Sequence, residues 1–435
     1  MLKSNKVNNK GYASTPTSYN ITSARLYSNV ILPRKNYNFN IKPLIAVIEG
    51  IESLNSPTVE YIIKMGDTFN LLERLKITGG EKVELEIQRR REDKTEKHSI
   101  TCFIGEIINF KRSGTSRSTY TLKCYSEHVM NESVKTLTKP FSGTGGSIVK
   151  DVLKSDLSVT PDSNQINVSG NYMEGIFPRL RPLHSIFWIM RNSFDDGTPF
   201  FFYETLNKGL YYKSYKDICT EEIAETYYFK SFPKHVQGTD EGYEEERTMV
   251  QSISSPSFGM AKFVDSSNGA FASTLHEIDI STKQYNTSTF NSEKNELNRL
   301  NDNKPYVNNN NTKVLDRHRT EHTDAKHFFI SKNTKAGNNY YSGTDISLNK
   351  GIAHLENMNF ITHNIRIPGN FDLGVGSKIH LVVYRNKEEP EGAGIDKVQS
   401  GDYIITKLIH RFEEGYSQEL TIQKDSGEIN YETTR

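Results

Sequence analysis

One arrangement of turns and strands occurs twice in this chain, about 300 residues apart, and this repetition constrains the fold more than any single motif does. The first copy consists of a Gly-led turn, an alternating strand and a strand pair, at residues 66–69, 82–87, 103–110 and 120–123. The second copy has the same elements in the same order, at residues 369–372, 378–383, 403–412 and 420–423. We predict an internal duplication in which each copy closes into a small antiparallel barrel or a curled sheet.

The strand at residues 82–88 alternates strictly between apolar and polar side chains, which is the period of a strand with one buried face. Val83, Leu85 and Ile87 share the apolar face. Two more strands follow, at about residues 100–110 and 120–125. The loop between them, at residues 111–116, contains Gly and Ser and suits a hairpin. These patterns predict a mainly β chain whose sheets have one face exposed to solvent.

The pattern changes between residues 128 and 245, where helical periodicity appears. The glycine-rich residues 143–147 open one helical stretch, and Pro182 begins a second helix that runs to Phe194 and carries the only tryptophan. An aromatic hairpin at residues 199–212 follows and is expected to cover that helix. We predict an α+β domain inserted between the two barrels.

The chain has 435 residues, about three times the size of a typical single domain, so several domains are expected. Residues 1–36 are rich in Asn, Ser and Thr and predict an arm that is loose until it meets a partner. The predicted division begins with an N-terminal arm (residues 1–36), a first tube-type β-barrel (37–127) and an α+β domain (128–245). A second tube-type β-barrel follows in two segments (246–285 and 345–430). Between these segments lies a peripheral Asn-rich insertion (286–344) with one short helix near residues 292–300.

The overall charge excludes a dedicated nucleic-acid binder, because 54 Lys and Arg nearly balance 53 Asp and Glu and leave no global basic field. The basic run at residues 88–91 is interpreted as a solvated strand end, with a local contact as the alternative. The N-terminus lacks the apolar core of a secretory signal, and no run approaches the ~20 apolar residues that span a bilayer. We expect a protein that is made and assembled in a cytoplasm, without membrane insertion.

Few residues suggest chemistry. The three cysteines, Cys102, Cys124 and Cys219, are too widely spaced for a disulfide framework or a metal knuckle and are expected to be reduced thiols. The one cluster rich in His and Asp lacks a metal-binding frame and is expected to be solvated; it comprises His318, His322, His327, Asp316 and Asp324.

Two further patterns were weighed as sites. The glycines at residues 143–147 resemble a phosphate cradle but lack the Lys of a P-loop, so a plain helix N-terminus is expected. The acidic runs at residues 244–246 and 388–389 are expected to lie in exposed loops. We therefore assign no catalytic residue, no metal site and no cofactor.

Three segments carry a resemblance to a known family, and their order along the chain matters more than any one of them. Residues 365–379 form a strand, a Pro-Gly-Asn turn and a second strand; residues 400–425 form the closing hairpin of the second barrel; and residues 268–279 form an earlier strand pair of that barrel. The chain resembles the central baseplate hub proteins of T-even-like contractile-tailed phages and the related hub module at the base of secretion-system spikes.

The resemblance implies a non-enzymatic virion protein that forms a homotrimeric ring with two tube-like barrels per subunit. Such a ring would join the sixfold tail tube, or the neighbouring tube-initiator proteins, to the threefold central spike, and DNA would pass through its channel during ejection. Contacts of the arm and the insertion with baseplate wedge proteins remain open.

Two alternatives stay open from the sequence. A hub module of a secretion or injection device would be favoured by a fused C-terminal needle repeat. A carbohydrate-binding or hydrolytic tail module that acts on the host surface would expose aromatic platforms or a groove with paired carboxylates, and the sequence shows no clear case of either.

Overall fold

The computed structural model describes residues 15–29, 38–91, 94–114, 117–230, 240–258, 268–269, 272–280, 282–291, 300–301, 326–332, 340–341, 344–385 and 394–426. Strands dominate these residues. The strands of the first half of the chain are β1 (Asn20–Tyr27), β2 (Asn38–Asn40), β3 (Ile45–Ser53), β4 (Glu60–Asp67), β5 (Lys82–Arg91), β6 (Lys94–Arg112), β7 (Ser118–Tyr125), β8 (Pro140–Thr144), β9 (Tyr172–Ile176), β10 (Phe194–Asp195), β11 (Thr198–Thr205) and β12 (Gly209–Ser214).

The second half adds ten strands: β13 (Ile223–Phe229), β14 (Ser252–Phe258), β15 (Ala272–Asp279), β16 (Gln284–Asn291), β17 (His327–Lys332), β18 (Tyr340–Tyr341), β19 (Ile361–Pro368), β20 (Lys378–Val383), β21 (Gly401–Phe412) and β22 (Tyr416–Lys424). The helices are a 3-10 turn at Lys42–Leu44 and α1 (Leu71–Arg74), α2 (Glu127–Ser133), α3 (Gly145–Ser155), α4 (Pro182–Arg191), α5 (Tyr215–Thr220), α6 (Asp240–Thr248) and α7 (Thr344–Met358). The prediction of a mainly β chain is confirmed.

Thirteen strands form one sheet, in the order β14-β19-β22-β21-β3-β4-β7-β6-β5-β1-β2, with β20 and β13 beside the first part of β21. Strands β3 to β7 form a first unit, and strands β14 and β19 to β22 form a second unit. The order β3-β4-β7-β6-β5 in the first unit corresponds to β14-β19-β22-β21-β20 in the second. The predicted repeat is therefore present in the strand order.

The two units also agree in local detail. Gly80 and Gly376 each precede the first strand of the repeat and have φ angles of +82° and +80°, in the left-handed region that favours glycine. Gly80 donates its N–H to the carbonyl of Ile104, and Gly376 donates to that of Ile405. Directly after each of these carbonyls the long strand has a bulge against its hairpin partner. The copies therefore share register as well as order.

The expected pair of closed barrels is not what the described strands form. The sheet runs from β14 at one end to β2 at the other without closing on itself. The reason is that β3 pairs with β21 of the other unit, which merges the two units into one sheet.

The N-terminal arm was expected to be loose, but part of it is a strand. β1 lies within residues 1–36 and pairs antiparallel with β5, and Ile21, Ala24 and Leu26 are buried. A register shift between Ile21 and Ser23 interrupts its alternation, which explains why the sequence pattern did not predict it. Residues 1–14 lie outside the described residues.

The α+β region has its own core. Helix α4 packs against β11, and α3 packs against α4. Phe200, Phe202 and Tyr212 of the hairpin join this core, as the sequence predicted, whereas Phe201 and Tyr203 belong to the core of the second unit. β13 departs from that region, because it pairs parallel with β20 of the main sheet. No helix within the described residues is long and apolar enough to cross a bilayer.

Part of the Asn-rich insertion is ordered into sheet. β17 lies within the insertion, and most of β16 does; both pair with β15 in a separate three-stranded sheet, which contacts α7. β15 falls in the segment predicted for the second barrel, but it does not join the main sheet. Leu300 and Asn301 lie against the second unit, where the Leu300 N–H donates to Asp425 at 2.6 Å. The short helix predicted near residues 292–300 falls almost entirely outside the described residues.

Candidate functional site

The two units meet where β21 pairs antiparallel with β3, over six residue pairs from Lys407–Ser53 to Phe412–Ile48. We call this contact the joint. The first part of the same edge of β21 pairs with β20, so one long strand serves both its own unit and the neighbouring one. The joint makes the two units a continuous sheet.

A buried polar network lies at the joint. His410 of β21 and Glu52 of β3 are both fully buried, and His410 Nε2 lies 3.1 Å from Glu52 Oε1. The Glu52 carboxylate also accepts the N–H groups of Leu206 at 2.7 Å and Val375 at 3.0 Å. A buried carboxylate is tolerated when its oxygens are hydrogen-bonded in this way. Glu52 therefore ties together the two units and the hairpin of the α+β region.

The other side of the imidazole is also satisfied. His410 Nδ1 lies 2.9 Å from the hydroxyl of Tyr416. Burial raises the pKa of Tyr416 well above its usual value, so this hydroxyl stays protonated. Neither Glu52 nor His410 is among the residues that the sequence predicts to be functional. The available signal was a polar residue on the apolar face of an otherwise alternating strand.

The basic run at residues 88–91 was expected to be a solvated strand end, and for Arg89 this is wrong. Arg89 is 3% exposed. Its guanidinium donates to the carbonyl of Gly369 and, at 2.6 Å, to that of Pro16. It also lies over the ring of Tyr416, 5.9 Å from the centroid. The alternation of β5 continues to position 89, which places this side chain on the core face between the two units.

The sheet face opposite the core runs through both units and carries mostly polar side chains, with Ile51, Ile62 and Ile409 among them. Pairing register places the side chains of this face side by side on six neighbouring strands; they include Thr362, Asn364, Arg366, Ser417, Glu419, Thr421, Lys407, Arg411, Glu49, Glu60, Lys64 and Lys123. We call this surface the polar face. Its continuity depends on the joint, because the joint brings Arg411 beside Glu49.

Three of the five basic side chains on the polar face are paired with carboxylates; among the described residues, Arg366 and Lys407 have no carboxylate partner. Lys64 lies 3.3 Å from Glu49, and Lys123 lies 3.2 Å from Glu60. Arg411 contacts Glu419 at 3.2 Å and Glu49 at 3.6 Å. Such partly exposed pairs contribute only about 0–1 kcal/mol each to stability. Their stronger effect is to leave the face without an uncompensated cluster of either sign.

Of the five residues in the cluster rich in His and Asp, the structure describes only His327. His327 Nδ1 lies 2.8 Å from His276 Nε2 on the neighbouring strand, and the other nitrogen of His276 contacts the Tyr285 hydroxyl at 2.5 Å. Residues 316, 318, 322 and 324 lie outside the described residues. Within the part of the chain that is described, no group of three or more His, Cys, Asp or Glu side chains is placed to hold a metal ion.

The glycine-rich residues 143–147 form the plain helix N-terminus that was expected. Ser147 donates its hydroxyl to the carbonyl of Thr144 at 2.7 Å. A Cβ at Gly146 would overlap the carbonyl oxygen of Asn167. The glycine therefore permits close backbone packing there.

The acidic run at residues 244–246 was expected in an exposed loop, but it lies on α6. Glu244 pairs with Arg247 at 2.8 Å, and Glu245 pairs with Lys230. These carboxylates are held by basic partners and do not form a groove. The second run, residues 388–389, lies outside the described residues, and the three cysteines are free thiols, as predicted.

Comparison with known proteins identifies solved structures that share the fold of this chain. No protein-family model matches the chain, and no curated protein matches it by sequence. The solved structures that match over nearly their whole length include two tail proteins. A tail protein from Neisseria meningitidis MC58 has a TM-score of 0.52 and 10% identity, covering 94% of this chain and 97% of that one. The 43 kDa tail protein of prophage MuSo2 from Shewanella oneidensis has a TM-score of 0.51 and 8% identity, covering 94% and 100%.

The chain shares the fold of these tail proteins. At such low identity the likeness concerns architecture alone. It agrees with the coarse form of the resemblance found in the sequence, a phage-tail type of fold.

Proposed function

We propose that this chain is a non-enzymatic structural subunit of the central hub of a contractile phage-tail baseplate, and that three copies form a ring. The observation that carries the proposal is the joint, which places two equivalent units side by side in one sheet. Three such chains present six similar units to a sixfold partner and three equivalent surfaces to a threefold one. A duplicated chain is thereby suited to adapt one symmetry to the other.

The partners follow from that role. The sixfold side would bind the tail tube or tube-initiator proteins, and the threefold side would bind the central spike. Wedge proteins of the baseplate would contact the periphery. The protein would belong to the virion and be assembled in the host cytoplasm.

The polar face suits the wall of a channel through which DNA passes during ejection. Proteins hold DNA largely through Lys and Arg that neutralise phosphates and release counterions. On this face Lys64, Lys123 and Arg411 are paired with carboxylates. Such a wall offers few free cations to a moving polyanion.

The native mass of the purified chain in solution tests the proposal. A trimer predicts about 149 kDa, three times the chain mass of 49.6 kDa. A chain that remains monomeric over a wide range of concentration, and also in the presence of a candidate spike protein, would contradict it.

One observation favours the second candidate, a carbohydrate-binding tail module. His276 stacks between Tyr285 and Phe329 on the outer face of the small sheet, with centroids 5.8 and 4.5 Å away, and these two aromatic side chains are 58% and 70% exposed. Exposed rings in a row can act as a platform for sugar rings. Binding of host surface polysaccharide that is lost in Tyr285→Ala would support this candidate.

A further inference from the structure

Each of the two strand edges that form the joint has an equivalent edge in the other unit. No described strand pairs with either of these equivalent edges. β14 corresponds to β3, and it pairs with β19 at one end of the main sheet. The second part of β6 corresponds to the part of β21 that pairs with β3. On the edge of β6 away from β7, β5 reaches only as far as Phe103, and no described strand covers residues 106–112.

Pairing register fixes which residues correspond. Ile107 pairs with Leu122 as Leu408 pairs with Leu420, so Ile107 takes the place of Leu408. In the same way, Ile253 takes the place of Ile48. Transferring the joint to these edges matches four residue pairs: Ile107–Phe258, Ile108–Ser257, Lys111–Ser254 and Arg112–Ile253.

Irregularities on the two edges match as well. β6 has an extra residue between Ile108 and Lys111, and β14 has an extra residue between Ser254 and Ser257. Both insertions fall at the position that His410 and Gly50 occupy in the joint. A bulge on one strand alone would shift the register beyond it. Two bulges that face each other keep the strands in register on both sides.

The bulges also restrict which strands fit these edges. Bulges and prolines blunt sheet edges against other strands. β14 has Pro256 within its bulge, which removes one N–H donor from the edge. Only a strand with an insertion at the opposite position fits such an edge well.

The chemistry of the two edges is compatible. Phe258 is 38% exposed on β14, and it would pack against Ile107, as Glu52 faces Leu408 in the joint. Lys111 and Arg112 would face Ser254 and Ile253, so the contact brings no like charges together. Continuation of the sheet would cover Phe258 and satisfy backbone groups along both edges.

We propose that β14 of one chain pairs antiparallel with residues 106–112 of β6 in a second copy of the chain. This contact rests on the proposed ring and names the surfaces that close it. It repeats between chains the joint that exists within each chain. The polar face then continues from one chain to the next.

Disulfide cross-linking tests this register. Lys111→Cys and Ser254→Cys together place thiols opposite each other, at positions that are exposed in the isolated chain. The matched control combines Lys111→Cys with Ser252→Cys, which is exposed on the same face two residues away. A diagonal separation of about 7–8 Å lies beyond the range of an unstrained disulfide. Single-cysteine variants control for the three native thiols.

After mild oxidation, the Lys111→Cys/Ser254→Cys variant should give covalent dimers and trimers on a denaturing gel without reductant, at least tenfold more than the control. A native mass of three chains with no excess of cross-linking over the control would overturn the strand pairing and leave the hub proposal standing. A monomeric native mass would overturn both. Each variant is first checked for the native mass of the unmodified chain.

Discussion

Glu52 and His410 hydrogen-bond to each other across the joint at 3.1 Å, and neither side chain is exposed to solvent. One comes from the first unit and the other from the second. The same carboxylate accepts two backbone N–H groups from segments outside β3 and β21. The hydrogen bond between Glu52 and His410 therefore depends on correct pairing of the two units.

Removal of this carboxylate should be costly. Glu52→Ala leaves His410 and the N–H groups of Leu206 and Val375 without their acceptor, and we expect it to lower the free energy of unfolding by about 3–5 kcal/mol. Glu49→Ala is the matched control on the same strand, because Glu49 is partly exposed and its loss should cost about 1 kcal/mol or less. Urea denaturation measures both, and equal effects would contradict the role of Glu52.

Arg89 should matter through its two carbonyl acceptors. Arg89→Met keeps much of the aliphatic volume but leaves the carbonyls of Gly369 and Pro16 without their donor, and we expect a loss of about 2–3 kcal/mol. Lys97→Met on the exposed part of β6 is the control and should change stability by less than about 0.5 kcal/mol. Thermal unfolding compares the two variants. A shift no larger than that of the control would show that Arg89 does not stabilise the contact between the units.

Alanine substitutions at the two equivalent glycines should lower the free energy of unfolding by different amounts. Both lie at positive φ, so Gly80→Ala and Gly376→Ala should each lose about 1–2 kcal/mol from backbone strain. A Cβ at Gly376 would also overlap the hydroxyl of Tyr203, whereas Gly80 has only the side chain of Asn29 nearby, at 3.6 Å. Gly376→Ala should therefore be the more destabilising by at least about 1 kcal/mol. Urea denaturation of both variants checks the order, and the reverse order would contradict the close contact between Gly376 and Tyr203.

His363 predicts a dependence of stability on acid. Burial, with a smaller contribution from the Lys424 ammonium, lowers the pKa of His363 from 6.5 to about 4. Between these values the unfolded chain binds a proton that the folded chain does not, so stability falls as pH drops from about 6.5 to 4. The expected loss from this residue is about 2–3 kcal/mol.

His363→Gln isolates that contribution. The variant keeps a polar group near the Ser255 hydroxyl, which lies 2.8 Å from His363 Nδ1. Its stability should fall less than that of the unmodified chain between pH 6.5 and 4, although both lose the contribution of titrating carboxylates. Parallel pH profiles would show that His363 is not held in its neutral form by the fold.

Much of the architecture could be predicted from local patterns. The alternation of residues 82–88 and the recurrence of a Gly-led turn before an alternating strand and a strand pair correctly indicated two copies of one unit. The burial of Arg89 also follows from that alternation, once it is extended by two residues. β1 was missed because its bulge breaks the period of two.

The joint could not be predicted in this way. Register between β3 and β21 is set by pairing across the chain, and no short-range turn links the two strands. Closed barrels were expected because each copy was considered alone. The polar face, whose continuity depends on the joint, was equally beyond the reach of local patterns.

The distance along the chain between Glu52 and His410, 358 residues, has a consequence for synthesis. While the ribosome is still making the middle of the protein, the first unit already displays the edge of β3, and its natural cover has not been translated. The finished first unit also carries the second part of β6, which has the same strand order around it as that cover. The extra residue of β6 at the position of His410 has no matching insertion in β3, so the edge of β3 in a nascent chain stays uncovered until β21 of the same chain is made.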